Sequence, residues 1–232
     1  MILKKWEELP NFMQIPEVRP YYDVLSSRRT QLVLKRVFDI TAATILTAIL
    51  AIPMGVIAIL IKKDSDGPVF YRQERVTTYS KHFRIHKFRT MVANADKIGT
   101  AVTVDNDSRI TKIGAKLRGY RLDELPQVFD VLQGNMSFVG TRPEAVKYVE
   151  QYKPEYLATL LLPAGITSEA SIRFKDEDKL LNAADDVDRV YLEKVLPEKM
   201  KWNLESIKHF RTANEFLTLL RTIATVLGRS YE

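Results

Sequence analysis

Asp123 and Glu124 stand side by side within Arg121-Leu122-Asp123-Glu124-Leu125-Pro126-Gln127. Acidic residues commonly cap helix N-termini, which is the plain structural reading of the pair. The chemical reading starts from the same place. A helix N-terminus stabilises an ionised carboxylate and attracts phosphate. A carboxylate is also a nucleophile that can form an acyl phosphate. Attack on an anionic diphosphate needs cations to offset the repulsion, and Lys87, Arg89, Arg118 and Arg142 are the basic groups available. A divalent ion held by Glu124 would do the same, and oxygen ligands suit magnesium.

A second candidate is Ser137-Phe138-Val139-Gly140-Thr141-Arg142-Pro143-Glu144, a glycine-bearing loop leading into a helix. Its backbone N–H groups and Arg142 could hold a phosphate, although its spacing matches no standard phosphate loop. Other polar clusters carry less. Asp105-Asn106-Asp107 and Asp185-Asp186-Val187-Asp188 lack the glycine and terminal glutamate of a calcium loop. His82 and His86 are four apart in what reads as a strand, with no third ligand nearby. The absence of cysteine excludes disulfides, thiolate metal sites and cysteine nucleophiles.

These residues must be positioned by elements, and the periodicity predicts several. Val69–Val76 and Phe83–Phe88 read as strands of a hairpin. Alternation puts Lys87 on the face of Phe83 and Ile85, either guarding a sheet edge or facing a site that wants a cation. A small amphipathic piece spans 105–118. A helix is expected from Asp123 to Gln133, stopped by Gly134, and another after Pro143. Residues 163–176 read as irregular or extended. Helices near 178–196 and 203–228 finish the chain, the last either packed on the body or lying on a membrane surface.

The strongest element signal lies upstream. The twenty-two residues Ile40–Ile61 carry no charge, and Pro53 interrupts them. A straight helix of this length would reach about 33 Å, enough to cross a hydrocarbon layer. Lys35 and Arg36 precede the run, however, and Lys62 and Lys63 follow it. Basic flanks collect on the cytoplasmic side, so a helix that enters, bends at Pro53 and returns satisfies both ends. A buried core helix is the competing reading. A secretory signal is excluded by its distance from the start and the lack of a small-residue cleavage site. Residues 1–28, with Trp6, Tyr21 and Tyr22, read either as a headgroup-layer segment or as a loosely packed arm.

The chain thus divides into an N-terminal arm (1–28), a re-entrant membrane helix (29–63) and a cytoplasmic catalytic domain with amphipathic membrane-surface helices (64–232). The fold class is α+β and helix-rich. A net charge of +6 and a pI near 9.3 imply an anionic partner: membrane surface, nucleic acid or phosphorylated substrate.

Taken together, the blocks resemble the bacterial sugar transferases known as monotopic phosphoglycosyl transferases, over about Leu34 to Leu227. The resemblance rests on Lys35-Arg36-Val37-Phe38-Asp39, on Pro53, on Gln73 and Arg75, and on Lys87-Phe88-Arg89-Thr90-Met91. It continues with Arg118, Leu122-Asp123-Glu124-Leu125-Pro126-Gln127, Gly134-Asn135-Met136-Ser137-Phe138-Val139-Gly140 and Arg142-Pro143. It implies transfer of a sugar-1-phosphate from a UDP-sugar to undecaprenyl phosphate, with release of UMP. Asp123 then matches the nucleophile that forms a covalent phosphosugar intermediate, Glu124 its partner at the magnesium ion, and Arg142 a substrate-phosphate arginine. Lys87, Arg89, Arg118, Gln73 and Arg75 complete the expected phosphate and nucleotide contacts. The implied location is the cytoplasmic face of the bacterial inner membrane, in contact with phospholipid, as a first step of capsule, exopolysaccharide or other glycan assembly. The chain resembles the minimal type without extra membrane helices, and an oligomer is compatible with it.

Four positions depart from the family pattern: Ile52 before Pro53, Val76-Thr77-Thr78, Thr141, and Pro163-Ala164-Gly165-Ile166-Thr167-Ser168-Glu169. The last bears on sugar preference. A catalytically silent membrane scaffold for glycan-assembly enzymes is the alternative, against which the intact carboxylate pair speaks. Nucleic-acid binding is disfavoured, because the basic residues are scattered without a recognition motif.

Overall fold

A computed structural model of the chain describes residues 3–95, 107–174 and 186–226. The N-terminal segment is not a loose arm. Leu3, Leu9, Met13, Val18, Tyr21, Tyr22 and Leu25 are buried in the largest core, the last three on helix α1 (Arg19–Ser26). Burying such apolar and aromatic side chains is worth about 1.5–3 kcal/mol each, so the segment is held firmly.

Helix α2 (Arg29–Asp64) is helical throughout, with Pro53 inside it. The helix thus continues on both sides of Pro53. Proline removes one backbone hydrogen bond, and the rest of the ladder carries the helix past it. Alone among the described residues, α2 is long and apolar enough to cross a membrane. Only 17% of its most apolar eighteen residues are buried, so it is not the core helix of the competing reading. Ile49, Ile52, Val56 and Ile59 face outward, Ile52 at 80% exposure. One stripe does pack inward. Leu32 joins the largest core, Ala43 a second, and Met54, Ile57 and Ile61 a third.

The basic pair before the apolar run has a different role from the one its flanking position implied. Lys35 is buried, donating to the Val139 carbonyl at 2.8 Å and pairing with Glu215. Arg36 donates to the carbonyls of Val131 and Leu132, and Asp39 accepts from the Phe138 N–H. These residues fasten α2 to the body rather than serving lipid headgroups.

The hairpin forms as expected, with β1 (Phe70–Val76) antiparallel to β2 (His82–Phe88) and Tyr71 opposite Lys87. Helix α3 (Lys112–Gly119) is capped by Thr111, whose hydroxyl accepts from the Gly114 N–H. The expected helix over Asp123–Gln133 divides. Leu122–Glu124 form a 3₁₀ turn, and α4 (Gln127–Gln133) begins only after Pro126. Proline is suited to a helix start rather than an interior. Gly134 ends α4 in the left-handed conformation, at φ 82°.

Residues 163–174 are more regular than expected, and 175–176 lie outside the described residues. After β3 (Met136–Val139) and α5 (Val146–Val149), β4 (Ala164–Thr167) pairs parallel with β3. A Cβ on Gly165 would lie 2.2 Å from the Gly140 backbone, so only glycine fits this crossing. Helix α6 (Glu169–Arg173) follows. Then α7 (Val187–Val190) leads through a π-turn (Tyr191–Val195) into α8 (Leu196–Lys208). The helix expected over 178–196 runs on to Lys208 among the described residues, since Pro197 falls at the start of α8 where the π-turn opens the ladder. Its first residues, 178–185, lie outside the described residues. The single helix expected over 203–228 is two, because Phe210, buried at 2% exposure, turns the chain before α9 (Thr212–Val226). Helix α9 packs through Glu215 and Thr218 while Phe216, Leu217, Leu220 and Ile223 stay exposed.

Candidate active site

The dyad turn is shaped by its neighbours. Arg121 takes the left-handed conformation (φ 54°), an uncommon state for a residue with a side chain that costs about 1 kcal/mol. The chain reverses there. Leu122 and Leu125 then pack into the core of Met54, Ile57, Ile61, Phe88 and Leu117. Asp123 and Glu124 therefore sit between two apolar anchors of the cluster that the part of α2 beyond Pro53 also joins.

Glu124 is the focus of two cations from different elements. Lys87 of β2 donates to Oε1 at 2.8 Å, and Arg142 donates to the same oxygen at 2.5 Å. All three side chains are largely covered, at 21% exposure for Lys87, 16% for Glu124 and 35% for Arg142. Burial alone would raise the Glu124 pKa, but the charges and hydrogen bonds of Arg142 and Lys87 hold it well below the usual carboxylate range. Asp123 is moved the other way. Burial, then the neighbouring Glu124 charge, raises its pKa, against the pull of Lys87 and Arg118. Its carboxylate takes no hydrogen bond from another side chain among the described residues. Two adjacent carboxylates are thus driven apart, one fixed as an anion and the other made more basic and left accessible to a reactant.

The elements that deliver these groups are locked. His86, beside Lys87, donates its backbone N–H to Asp130 Oδ2 at 2.8 Å and contacts Oδ1 through Nδ1 at 2.7 Å. That bond ties β2 to α4. The loop carrying Arg142 is held by Gly165 N–H donating to the Thr141 carbonyl and Gly140 N–H to that of Thr167. Glu144, buried at 9% exposure, accepts from the Tyr191 hydroxyl at 2.5 Å and pins the other end of the loop to the π-turn.

The other expected site residues divide. Arg75 and Lys87 line one cavity of about 200 Å³ with Gln127, Arg142, Glu144 and Tyr191. Burial lowers the Arg75 pKa, and its guanidinium donates to the Glu74 carbonyl at 3.0 Å. Gln73 lies on the same face of the hairpin, opposite Ile85, outside that cavity lining. Arg118 donates to the Thr90 hydroxyl and acts on Asp123 through its charge. Arg89 departs from expectation. Buried at 5% exposure, it donates to the carbonyls of Pro68, Ser65 and Asp66 and to the Ser65 hydroxyl. A guanidinium satisfied in this way clamps the chain where it leaves α2 and has little left for a phosphate.

Sequence reasoning assigned no role to Gln127, Glu144, Tyr191 or Lys199. The first two stand inside the quoted blocks, so proximity was their signal; the other two come from a distant segment with none. The altered 163–169 segment divides: Gly165 and Thr167 brace the Arg142 loop, while its end faces elsewhere. Ser168 and Glu169 line a larger cavity of about 350 Å³ that contains neither the dyad nor Lys87 and Arg142. Ser168 caps α6, and Glu169 binds Thr218 and Arg221 of α9.

No cluster of three or more metal-ligating side chains occurs among the described residues. Two adjacent carboxylates fit an ion such as magnesium that is held partly by substrate phosphates rather than by a protein cage.

The profile of the bacterial sugar transferase family matches residues 30–229. A UDP-N-acetylgalactosamine-undecaprenyl-phosphate N-acetylgalactosaminephosphotransferase of Aeromonas hydrophila is 35% identical over 84% of this chain and 44% of its own length. A UDP-glucose:undecaprenyl-phosphate glucose-1-phosphate transferase of Escherichia coli is 42% identical over 67% of this chain and 34% of its own. An exopolysaccharide production protein of Rhizobium leguminosarum is 42% identical over 61% of this chain and 74% of its own. The chain spans less than half the length of the first two relatives. Its match across residues 30–229 covers nearly all of the dyad, loop and helix framework described above, and the chain belongs to the bacterial sugar transferase family.

Proposed function

We propose that the protein transfers a sugar-1-phosphate from a UDP-sugar to undecaprenyl phosphate, giving undecaprenyl-diphosphate-sugar and UMP. The observation that carries this reading is the divergent pair: Asp123 made basic by burial beside a Glu124 held anionic by Lys87 and Arg142. An Asp123 carboxylate oxygen attacks the phosphorus that bears the sugar. The bond from that phosphorus to the UMP oxygen breaks, and UMP leaves with the electron pair. An oxygen of undecaprenyl phosphate then attacks the same phosphorus, and the aspartyl carboxylate is released unchanged. Arg142, Lys87 and Arg75 neutralise the diphosphate, with Arg118 acting through its field on Asp123 and Gln73 at the edge of the same face. Magnesium, with Glu124 as its protein ligand, would supply further charge neutralisation on the phosphoryl oxygens. Since Glu124 already holds two cations, such a ligand set requires Lys87 or Arg142 to turn toward the diphosphate.

The placement of the dyad supports a membrane-bound acceptor. Leu122 and Leu125 pack on the cluster that holds Met54, Ile57 and Ile61, while the opposite face of α2 and the apolar side of α9 are uncovered. Lying at the cytoplasmic face of the inner membrane, with α2 re-entering at Pro53, the protein would hold Asp123 where a lipid phosphate and a soluble nucleotide sugar meet. The role is a first membrane step of exopolysaccharide or capsule assembly. Incubation with undecaprenyl phosphate and a panel of UDP-sugars tests the reading directly. UMP release with one donor supports it, and none with any donor overturns it.

A further inference from the structure

Among the described residues two buried side-chain atoms meet no hydrogen-bond partner, Gln127 Nε2 and Ser137 Oγ. Such atoms are uncommon, because a buried donor without an acceptor costs about 1–3 kcal/mol. Ser137 does not line the cavity beside the dyad. Gln127 does, at 1% exposure, four residues after Asp123 and on the first turn of α4. The surrounding wall is cationic, with Arg75, Lys87 and Arg142 all contributing. Its acidic lining residue, Glu144, is already engaged by the Tyr191 hydroxyl, and the dyad adjoins the cavity through Lys87 and Arg142, which both hold Glu124. A lone amide donor among cations suits a ligand that offers acceptors and negative charge together.

The geometry points to Gln127 as a donor-binding residue whose Nε2 donates to a phosphoryl oxygen of the nucleotide diphosphate in this cavity. This rests on the donor reading above. In the free protein the buried amide lacks an acceptor, and the incoming diphosphate would supply it. Because Nε2 is covered in the free protein, a small shift of the cavity wall must open it to the ligand. A sugar hydroxyl would also accept, but it would not account for the cations on the same wall.

The test measures UDP and UDP-sugar affinity, with magnesium present, for the full chain in detergent and for two variants. Gln127→Met keeps length and volume without the amide. Gln127→Glu keeps the shape, replaces the donor by an acceptor and adds a negative charge, so it should weaken binding at least as much as Gln127→Met. Both should bind UDP and UDP-sugar about tenfold or more weakly, the loss expected for one hydrogen bond to a charged group. The ligand-free melting temperature of Gln127→Met should equal or exceed that of the parent, because the unsatisfied donor is gone. A structural glutamine would melt lower and leave the affinity unchanged. Parental UDP affinity in either variant overturns the inference, as does a loss confined to UDP-sugar, which would assign Gln127 to the sugar. A parent protein that binds no UDP overturns the donor reading itself, and is thereby distinguished from failure at Gln127 alone.

Discussion

Lys87 reaches Glu124 across thirty-seven positions of sequence, Nζ to Oε1 at 2.8 Å, and the contact joins the β-hairpin to the dyad turn. Its consequence for Asp123 is electrostatic. Asp123 must be ionised to attack, and burial with the Glu124 charge raises its pKa, while Lys87 lowers it. Activity is therefore lost as pH falls through that raised value, above the ordinary aspartate pKa of 3.8. Lys87→Met removes the lowering charge, so the acid limb of kcat/KM should move to higher pH and kcat should fall by roughly a hundredfold, the scale of losing one positioned electrostatic group. An unmoved acid limb in the pH–rate profile would separate Lys87 from Asp123.

The two carboxylates should differ in what their amides retain. Asp123→Asn has no competent nucleophile and should lose both transfer and any phosphosugar adduct detectable by mass spectrometry. Glu124→Gln leaves the nucleophile and removes the like charge beside it, so a slow adduct should still form when UDP-sugar is supplied without acceptor. Full turnover by the Asp123 variant would sink the covalent route.

Arg89 and Arg142 were read alike from sequence and should separate in experiment. Arg142→Ala should raise donor KM with little change in melting temperature. Arg89→Ala leaves the carbonyls of Ser65, Asp66 and Pro68 without their donor, which should cost about 3 kcal/mol of stability while the donor KM of the folded fraction stays near the parental value. Chemical denaturation and initial-rate kinetics read the two effects independently.

That contrast shows where sequence reading succeeded and stopped. The hairpin and the inward Lys87 were legible, because alternation and turn chemistry are local. So was Gly134 as a stop, since a left-handed helix end favours glycine. What an arginine touches is not local. Arg89 and Arg142 carry the same group, and only the tertiary fold turns one to a backbone loop and the other to Glu124. Lys35 makes the same point. Its position before an apolar run suited a lipid flank, yet it is buried against Val139 and Glu215, which lie more than a hundred positions away.

Magnesium should depend on substrate. With no cluster of three metal-ligating side chains among the described residues, the ion should be held mainly through the diphosphate. Magnesium alone should leave the melting temperature unchanged, and magnesium with UDP should raise it beyond UDP alone. EDTA should stop turnover. Unchanged rates in EDTA would remove the metal from the mechanism.

The topology prediction follows from how α2 is tied down. Near its start, Lys35 and Asp39 bind Val139 and Phe138. At its end, Asp64 Oδ2 accepts from the Ile113 N–H, and Ile61 packs with Phe88 and Leu117. Both ends of the apolar run thus hold one body rich in charged groups, which cannot enter the hydrocarbon. Crossing would place those attachments on opposite faces and break one set. Entry and return, with the bend at the hydrogen bond that Pro53 removes, keeps both. The cysteine-free sequence allows single cysteines at the exposed positions Thr30 and Lys63. An impermeant thiol reagent should label both from the cytoplasmic side in inverted vesicles and neither in right-side-out ones, and labelling from opposite sides would establish a spanning helix instead.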